Sequence, residues 1–129
     1  MKFLLAKLWK LLSLPKGIQL FFMRLLQDQF LIGVTGVIFN EKDEVLVFKH
    51  SYRAHPWSLP GGYLNSGEHP KEGLEREIFE ESRLIVSADA LLETRTDRNS
   101  ARLDICYVGA FLGGEFQSTH EVTKYGFFS

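Results

Sequence analysis

The residues of this sequence whose types and spacing could do chemistry lie between positions 59 and 84, LPGGYLNSGEHPKEGLEREIFEESRL. Glu77, Glu80 and Glu81 stand at i, i+3 and i+4, so on a helix all three carboxylates leave one face within about one turn. Like charges that close raise one another's pKa and destabilise the helix unless a cation lies among them. A hard divalent ion that takes oxygen ligands, Mg²⁺ or Mn²⁺, is the natural partner. An acidic helix face standing alone is more often a solvated surface. The surroundings of the three glutamates therefore decide between the two readings.

Those surroundings predict a helix. Pro70 suits a first helical turn, and Lys71 to Ser82 are good helix formers with no further proline. Gly73, one turn before Glu77, costs about 1 kcal/mol of helix propensity and is expected to leave room for metal or ligand. Gly61-Gly62 precedes the helix, five residues separate Gly62 from Glu68, and seven separate Glu68 from Arg76-Glu77-Ile78-Phe79-Glu80-Glu81.

This spacing resembles the Nudix box, in which a glycine, a glutamate, an Arg-Glu pair, a Glu-Glu pair and a final glycine recur at fixed intervals. One defined position departs: Arg83 stands where the pattern has its last glycine, followed by the expected aliphatic Leu84. A non-glycine residue enters the left-handed cap at a cost on the order of 1 kcal/mol, so Arg83 is expected to strain the cap or lengthen the helix without removing any acid.

The resemblance implies an α/β fold, an α/β/α sandwich with a central mixed sheet, here with an added N-terminal helical segment. It also implies metal-dependent hydrolysis of a pyrophosphate bond in a nucleoside diphosphate derivative: a nucleoside triphosphate, an ADP-ribose-like compound, a nucleotide sugar or a dinucleoside polyphosphate. The catalytic acids would be Glu77, Glu80 and Glu81, which with the Gly61 carbonyl would also hold Mg²⁺ or Mn²⁺, Glu80 and Glu81 as principal ligands and Glu77 orienting or deprotonating the attacking water, with an exchange of these roles as the alternative. Gly62, Glu68 and Arg76 match the remaining box positions and take structural roles. Near the end of the chain Glu121-Val122 and Phe127-Phe128 loosely match a further family pattern. Glu121 is thus a candidate fourth acid, with a rim-exposed carboxylate as the alternative, while Lys124 replaces a glutamate often found there.

Elements on either side must position these groups. Phe30 to Phe39 and Val45 to Lys49 read as a hairpin around the turn Asn40 to Glu44. His50 to Trp57 is a polar loop just before the box, in which Arg53 could meet phosphate and Trp57 could pack beside a base; a surface loop with one packed tryptophan is the alternative. His50, His55, His69 and His120 have no metal-ligand spacing and read as loop or surface residues. Ala90 to Thr96 and Arg102 to Leu112 form a second hairpin, and Gly126-Phe127-Phe128 a last apolar stretch.

Composition bounds the rest. At 129 residues with 45% hydrophobic side chains, the sequence can fold as one domain, and a net charge of −1 offers no footprint for a nucleic-acid polymer. Cys106, the single cysteine, cannot form an intrachain disulfide, sits in an apolar run as a core residue, and fits a reducing cytoplasm.

Residues 1–27 stand apart from a domain spanning 28–129. They carry Lys2, Lys7, Lys10, Lys16 and Arg24 but no acid. An amphipathic helix broken at Pro15 and Gly17 is expected, followed by a second helix, Ile18 to Leu26, apolar nearly all round. Lys7 and Lys10 argue against a signal peptide, and no uncharged run reaches the roughly 18 residues of a membrane span. Packing on the domain or in a homodimer is favoured over peripheral membrane contact. Family members usually continue into a C-terminal helix that Ser129 leaves no room for, so the N-terminal helices, a second subunit or the rest of a longer chain are expected to cover that face. Two functional alternatives remain: a catalytically weak or inactive nucleotide-binding or regulatory module, and a membrane-surface scaffold.

Overall fold

The computed structural model describes residues 2, 4, 6, 7 and 15–129, which divide into two compact units, residues 1–30 and 31–129. In the first unit Lys2, Leu4, Ala6 and Lys7 are helical, and the rest of the amphipathic segment read over the first fourteen residues lies outside the described ones. Helix α1 runs from Lys16 to Leu26. It starts two residues earlier than the sequence suggests, because Pro15 accepts the first turn through its carbonyl (Gln19 N–H, 3.0 Å) and Gly17 is carried inside the helix. None of the residues of α1 is buried. No helix among the described residues is long and apolar enough to cross a membrane.

The second unit is a mixed sheet with one helix packed on it. β1 (Leu31–Phe39) pairs in parallel along its whole length with β6 (Arg102–Gly114), and β6 pairs antiparallel with β5 (Leu84–Asp97). The other edge of β1 is divided: β2 (Val45–His50) meets it at Phe39↔Val45, and β4 (Gly61–Tyr63) meets it at Gly33 to Thr35. β2 continues outward to β3 (Trp57–Ser58) and pairs with β7 (Val122–Phe128). The turn into β2 is built by Asn40, whose side-chain oxygen accepts from the backbone N–H groups of Lys42 and Glu44 at 3.0 and 2.9 Å.

β5 begins at Leu84, six residues before the strand read from the sequence. Its register shifts between Ile85 and Val86 and again near Ala88 and Leu91, and such bulges destroy the alternation by which a strand is recognised.

Helix α2 spans Pro70–Ser82. His69 caps it through Nδ1, which accepts from the Lys71 N–H at 3.1 Å. Arg83 ends it in the left-handed conformation (φ 65°), and its N–H bonds the Phe79 carbonyl at 2.7 Å. The helix therefore stops where a glycine would have stopped it, with the strain of a Cβ at positive φ. Leu74 and Ile78, one turn apart, are fully buried among Val34 and Ile38 of β1, Phe48 of β2, Leu84 of β5 and Val122 of β7. That stripe sets the rotation of α2 and hence where its glutamates leave.

Candidate active site

Arg76 organises the box. Its guanidinium donates to Glu68 (2.6 and 3.0 Å), Glu77 (2.9 Å), Glu80 (3.0 Å) and the Tyr63 carbonyl (3.2 Å). These bonds tie the loop before α2 to the face of the helix, with the planar fork of arginine meeting several oxygens at once. The Arg76 hydrogen bonds, with a further bond from the Asn65 N–H, hold the Glu68 carboxyl down at about 2. The same carboxylates push the Arg76 pKa further up, through Glu68 first and Glu77 next.

The two glycines explain how an acid can approach the backbone here. A Cβ on Gly62 would collide with the Glu77 carboxylate, and one on Gly61 would strike the Val34 carbonyl. Glu77 thus lies directly over the Gly62 Cα, a position that no other residue at 62 would leave open. Gly73 behaves otherwise than the sequence suggests. The space beside it is filled by Leu64 and Glu68, so it admits the loop against the helix and leaves no room for a metal or ligand.

Glu77, Glu80 and Glu81 share one face but not one environment. Glu80 points outward, 58% exposed at its side chain, and is engaged by Arg76. Glu81 turns into the protein. Its Oε2 is buried with no hydrogen-bond partner, and burial, followed by the charges of Glu77 and Glu121, pushes its carboxyl up to about 8. Glu77 is also shifted upward, mainly by burial and against the pull of Arg76.

Glu121 reaches this cluster from the other end of the chain. The Thr119 hydroxyl donates to the Glu81 carbonyl at 3.2 Å, the Gln117 N–H to the Ser82 carbonyl at 2.9 Å, and the Ser51 hydroxyl to the His120 carbonyl at 2.8 Å. Segment 117–121 is thereby fastened to the end of α2 and to the loop after β2, which brings the exposed Glu121 carboxyl near enough for its charge to raise the Glu81 carboxyl. Lys124 pairs across the strand with Lys49.

A cavity of about 170 Å³ is walled by Gly61, Gly62 and Tyr63 of β4, Thr35 of β1, and Arg53 and His50; none of Glu77, Glu80, Glu81 and Glu121 lines it, and Gly62, over which Glu77 lies, links it to the acids. Arg53 is anchored by a 3.1 Å bond from Nη1 to the Ser58 hydroxyl and lies 5.9 Å over the Tyr52 ring. Trp57 does not line this cavity. It packs edge-to-face on Phe128 with ring centres 5.6 Å apart. His50 is not the loop or surface residue its spacing suggested but a buried residue at the end of β2. Tyr63, Arg102 and Asp104 also reach the cavity, and the sequence did not single them out. Arg102 holds the Asp104 carboxylate at 3.0 Å, and a Cβ at Gly33 would collide with that carboxylate. The glycine at 33, opposite Asp104 in the β1–β6 register, was the available signal.

Residues 29–129 match the family profile described as NUDIX domain. The chain belongs to the Nudix family. It is 30% identical to an 8-oxo-dGDP phosphatase of Mus musculus over 111 residues, 84% of this chain and 34% of that protein. Over 54 residues, 42% of this chain and 30% of the other, it is 44% identical to an RNA pyrophosphohydrolase of Yersinia enterocolitica. The chain thus spans less than half the length of these relatives. Among solved structures it resembles an ADP-ribose pyrophosphatase from Streptococcus suis at 28% identity and a TM-score of 0.69, covering 78% of this chain and 75% of that one. A MutT protein from Methanosarcina mazei is similar at 27% identity and a TM-score of 0.65, with 80% and 79% covered. These Nudix structures carry the α/β/α sandwich that the sequence resemblance implies.

Nudix hydrolases generally use divalent metal ions, and the residues of this chain fit one. The donors are hard carboxylate oxygens, one of them is buried without a partner, and the raised Glu81 carboxyl needs a positive charge to ionise at neutral pH. Among the described residues no three acid, imidazole or thiol groups form a finished metal cage. Arg76 accounts for this, since it engages Glu77 and Glu80.

Proposed function

We infer that this chain hydrolyses a pyrophosphate bond in a nucleoside diphosphate derivative, with Mg²⁺ or Mn²⁺ as cofactor. The observation that carries the reading is the buried, partnerless oxygen of Glu81, which feels the charges of Glu77, Glu121 and Arg53. Glu77 and Glu81, half-buried side by side with the exposed Glu121 near them, are costly as carboxylates unless a cation is part of the working state. Bound there, a divalent ion supplies neutralisation of the diphosphate charge and a lowered pKa for water.

Glu81 and Glu121, with the Gly61 carbonyl, would hold the ion, and Glu80 joins them on leaving Arg76. Glu77, fixed over Gly62 and steadied by Arg76, orients the attacking water and takes its proton. Arg53 meets a phosphate oxygen as a bidentate donor. Phosphoryl substitution needs little else than such positioning and charge stabilisation. Trp57, on β3 next to Arg53's anchor Ser58, is a candidate contact for the part of the substrate outside the cavity. Three of the four similar proteins are named for three different substrates, so selection must come from residues outside the shared box.

The test is product release from a panel of nucleoside triphosphates, ADP-ribose-like compounds, nucleotide sugars and dinucleoside polyphosphates, with Mg²⁺ or Mn²⁺ and with chelator. At least one compound should be cleaved at the anhydride, and only with metal. No cleavage of any compound with either ion would leave a binding module in place of the enzyme.

A further inference from the structure

His50 ends β2 where its register with β7 slips between Lys49 and His50. His50 continues the inward alternation of Leu46 and Phe48, so the imidazole is turned into the protein, the residue being only 3% exposed. It forms part of the cavity wall beside Arg53, Gly61 and Gly62. Neither Nδ1 nor Nε2 has a hydrogen-bond partner. Buried polar side chains in native proteins are nearly always satisfied, so an imidazole with two unsatisfied nitrogens requires an explanation.

The fold does not supply one. The backbone N–H of His50 bonds the Pro56 carbonyl at 2.7 Å, and the ring packs edge-on to Tyr52 with centres 6.1 Å apart; phenylalanine would satisfy both contacts. Burial and the neighbouring Arg53 lower the His50 pKa, which leaves the ring neutral with one N–H to donate. The same cavity is lined by the Arg53 guanidinium, whose charge acts on the ring, and by Thr35, Tyr63 and the Arg102–Asp104 pair.

We propose that His50 is a substrate-binding residue whose ring N–H donates to a phosphate oxygen of the diphosphate, next to the oxygen met by Arg53. The proposal rests on the pyrophosphate reading given above. It assigns to the buried imidazole the partner that the protein itself withholds, and it places the diphosphate in the cavity with its anionic oxygens toward β2 and the cleaved bond toward the acids of α2.

His50→Phe keeps the ring and removes both nitrogens, while His50→Gln retains an amide donor. The probe is imidodiphosphate, a pyrophosphate analogue with a resistant bridge, titrated calorimetrically into the full chain at fixed Mg²⁺. His50→Phe should melt at or above the wild-type temperature yet bind about tenfold or more weakly, the scale of one hydrogen bond to a charged group, and His50→Gln should recover part of the loss. Wild-type protein with ¹⁵N-labelled histidine should show the His50 ring signals moving as the probe saturates. Wild-type affinity in His50→Phe overturns the proposal and leaves the pyrophosphate reading standing. Failure of the wild-type protein to bind the probe overturns both. Should His50→Phe not fold, unmoved ring signals in the wild-type protein overturn the proposal and shifted ones support it.

Discussion

Helix α1 carries Ile18, Leu20, Phe21, Phe22, Met23, Leu25 and Leu26 and buries none of them, whereas α2, built largely of Lys, Arg and Glu, buries Leu74 and Ile78 completely. Composition alone would reverse that order. The difference lies in pattern and partners: two apolar side chains at i and i+4 suffice where residues of the sheet close over them, and among the described residues the seven of α1 meet no such core. The charge on α2 is a consequence of the same arrangement. Because so little of its surface is needed for burial, the remainder is free to hold Arg76 and five glutamates.

The largest effect expected from this contrast is on stability. Leu74→Ala opens a cavity in the centre of the core and should cost about 2–5 kcal/mol in urea denaturation. A loss below about 1 kcal/mol would mean that α2 is held mainly by its polar network and not by its stripe.

Next in size is a purely chemical change on the same helix. Glu77→Gln keeps the shape over Gly62 and the bond from Arg76 but removes the base, and kcat should fall by at least about 10²-fold while the melting temperature changes little. Near-wild-type turnover at saturating metal would exclude Glu77 as the essential base.

Much of this helix was legible because the Nudix box writes geometry into spacing. Pro70 marks the start, the i, i+3, i+4 pattern places the glutamates on one face, and Arg83 sits at the stop. What spacing could not convey is the third dimension. It does not tell that Arg76 draws Glu80 outward while Glu81 turns inward, because that depends on Glu68 and Glu121, which arrive from 8 residues before Arg76 and from the segment just before β7. The burial of His50 was legible, since it continues the inward alternation of Leu46 and Phe48, but its position after the last apolar residue of the strand made it read as loop. Gly73 misled for a related reason: the sequence shows that a side chain is missing but not that Leu64 fills the gap.

Glu81 sharpens the contrast through pH. Its carboxyl titrates near 8 in the fold and near 4.5 when unfolded, so the native state binds the extra proton between these values. The associated stability is fully present below about pH 4.5 and is lost as pH rises through about 8. Metal-free protein should therefore melt lower at pH 8.5 than at pH 5, by about 2–8 °C for each kcal/mol involved. Glu68 works in the opposite sense, but its stabilisation disappears only as pH falls toward about 2, outside this window. His50, lowered by burial, opposes Glu81 within the window, so the comparison is made against Glu81→Gln, which keeps the His50 contribution. That variant should melt at a temperature less dependent on pH, and Mg²⁺ should stabilise it less than the wild type above pH 8. Parallel pH curves for the two proteins would remove Glu81 from the cation site.

The smallest effect should come from α1. Leu25 is 65% exposed, so Leu25→Ala gives up little buried surface, and its cost should stay within about 0.5 kcal/mol at low protein concentration. Set beside Leu74→Ala, the same chemical deletion would then differ roughly tenfold between two helices of one chain. The measurement also tests the expectation, drawn from its nearly continuous apolar surface, that this helix is covered in solution. A loss in Leu25→Ala that approaches that of Leu74→Ala would mean that Leu25 is buried in the working protein, and its dependence on protein concentration would tell cover by a second copy, which strengthens on concentrating, from cover within the chain, which does not.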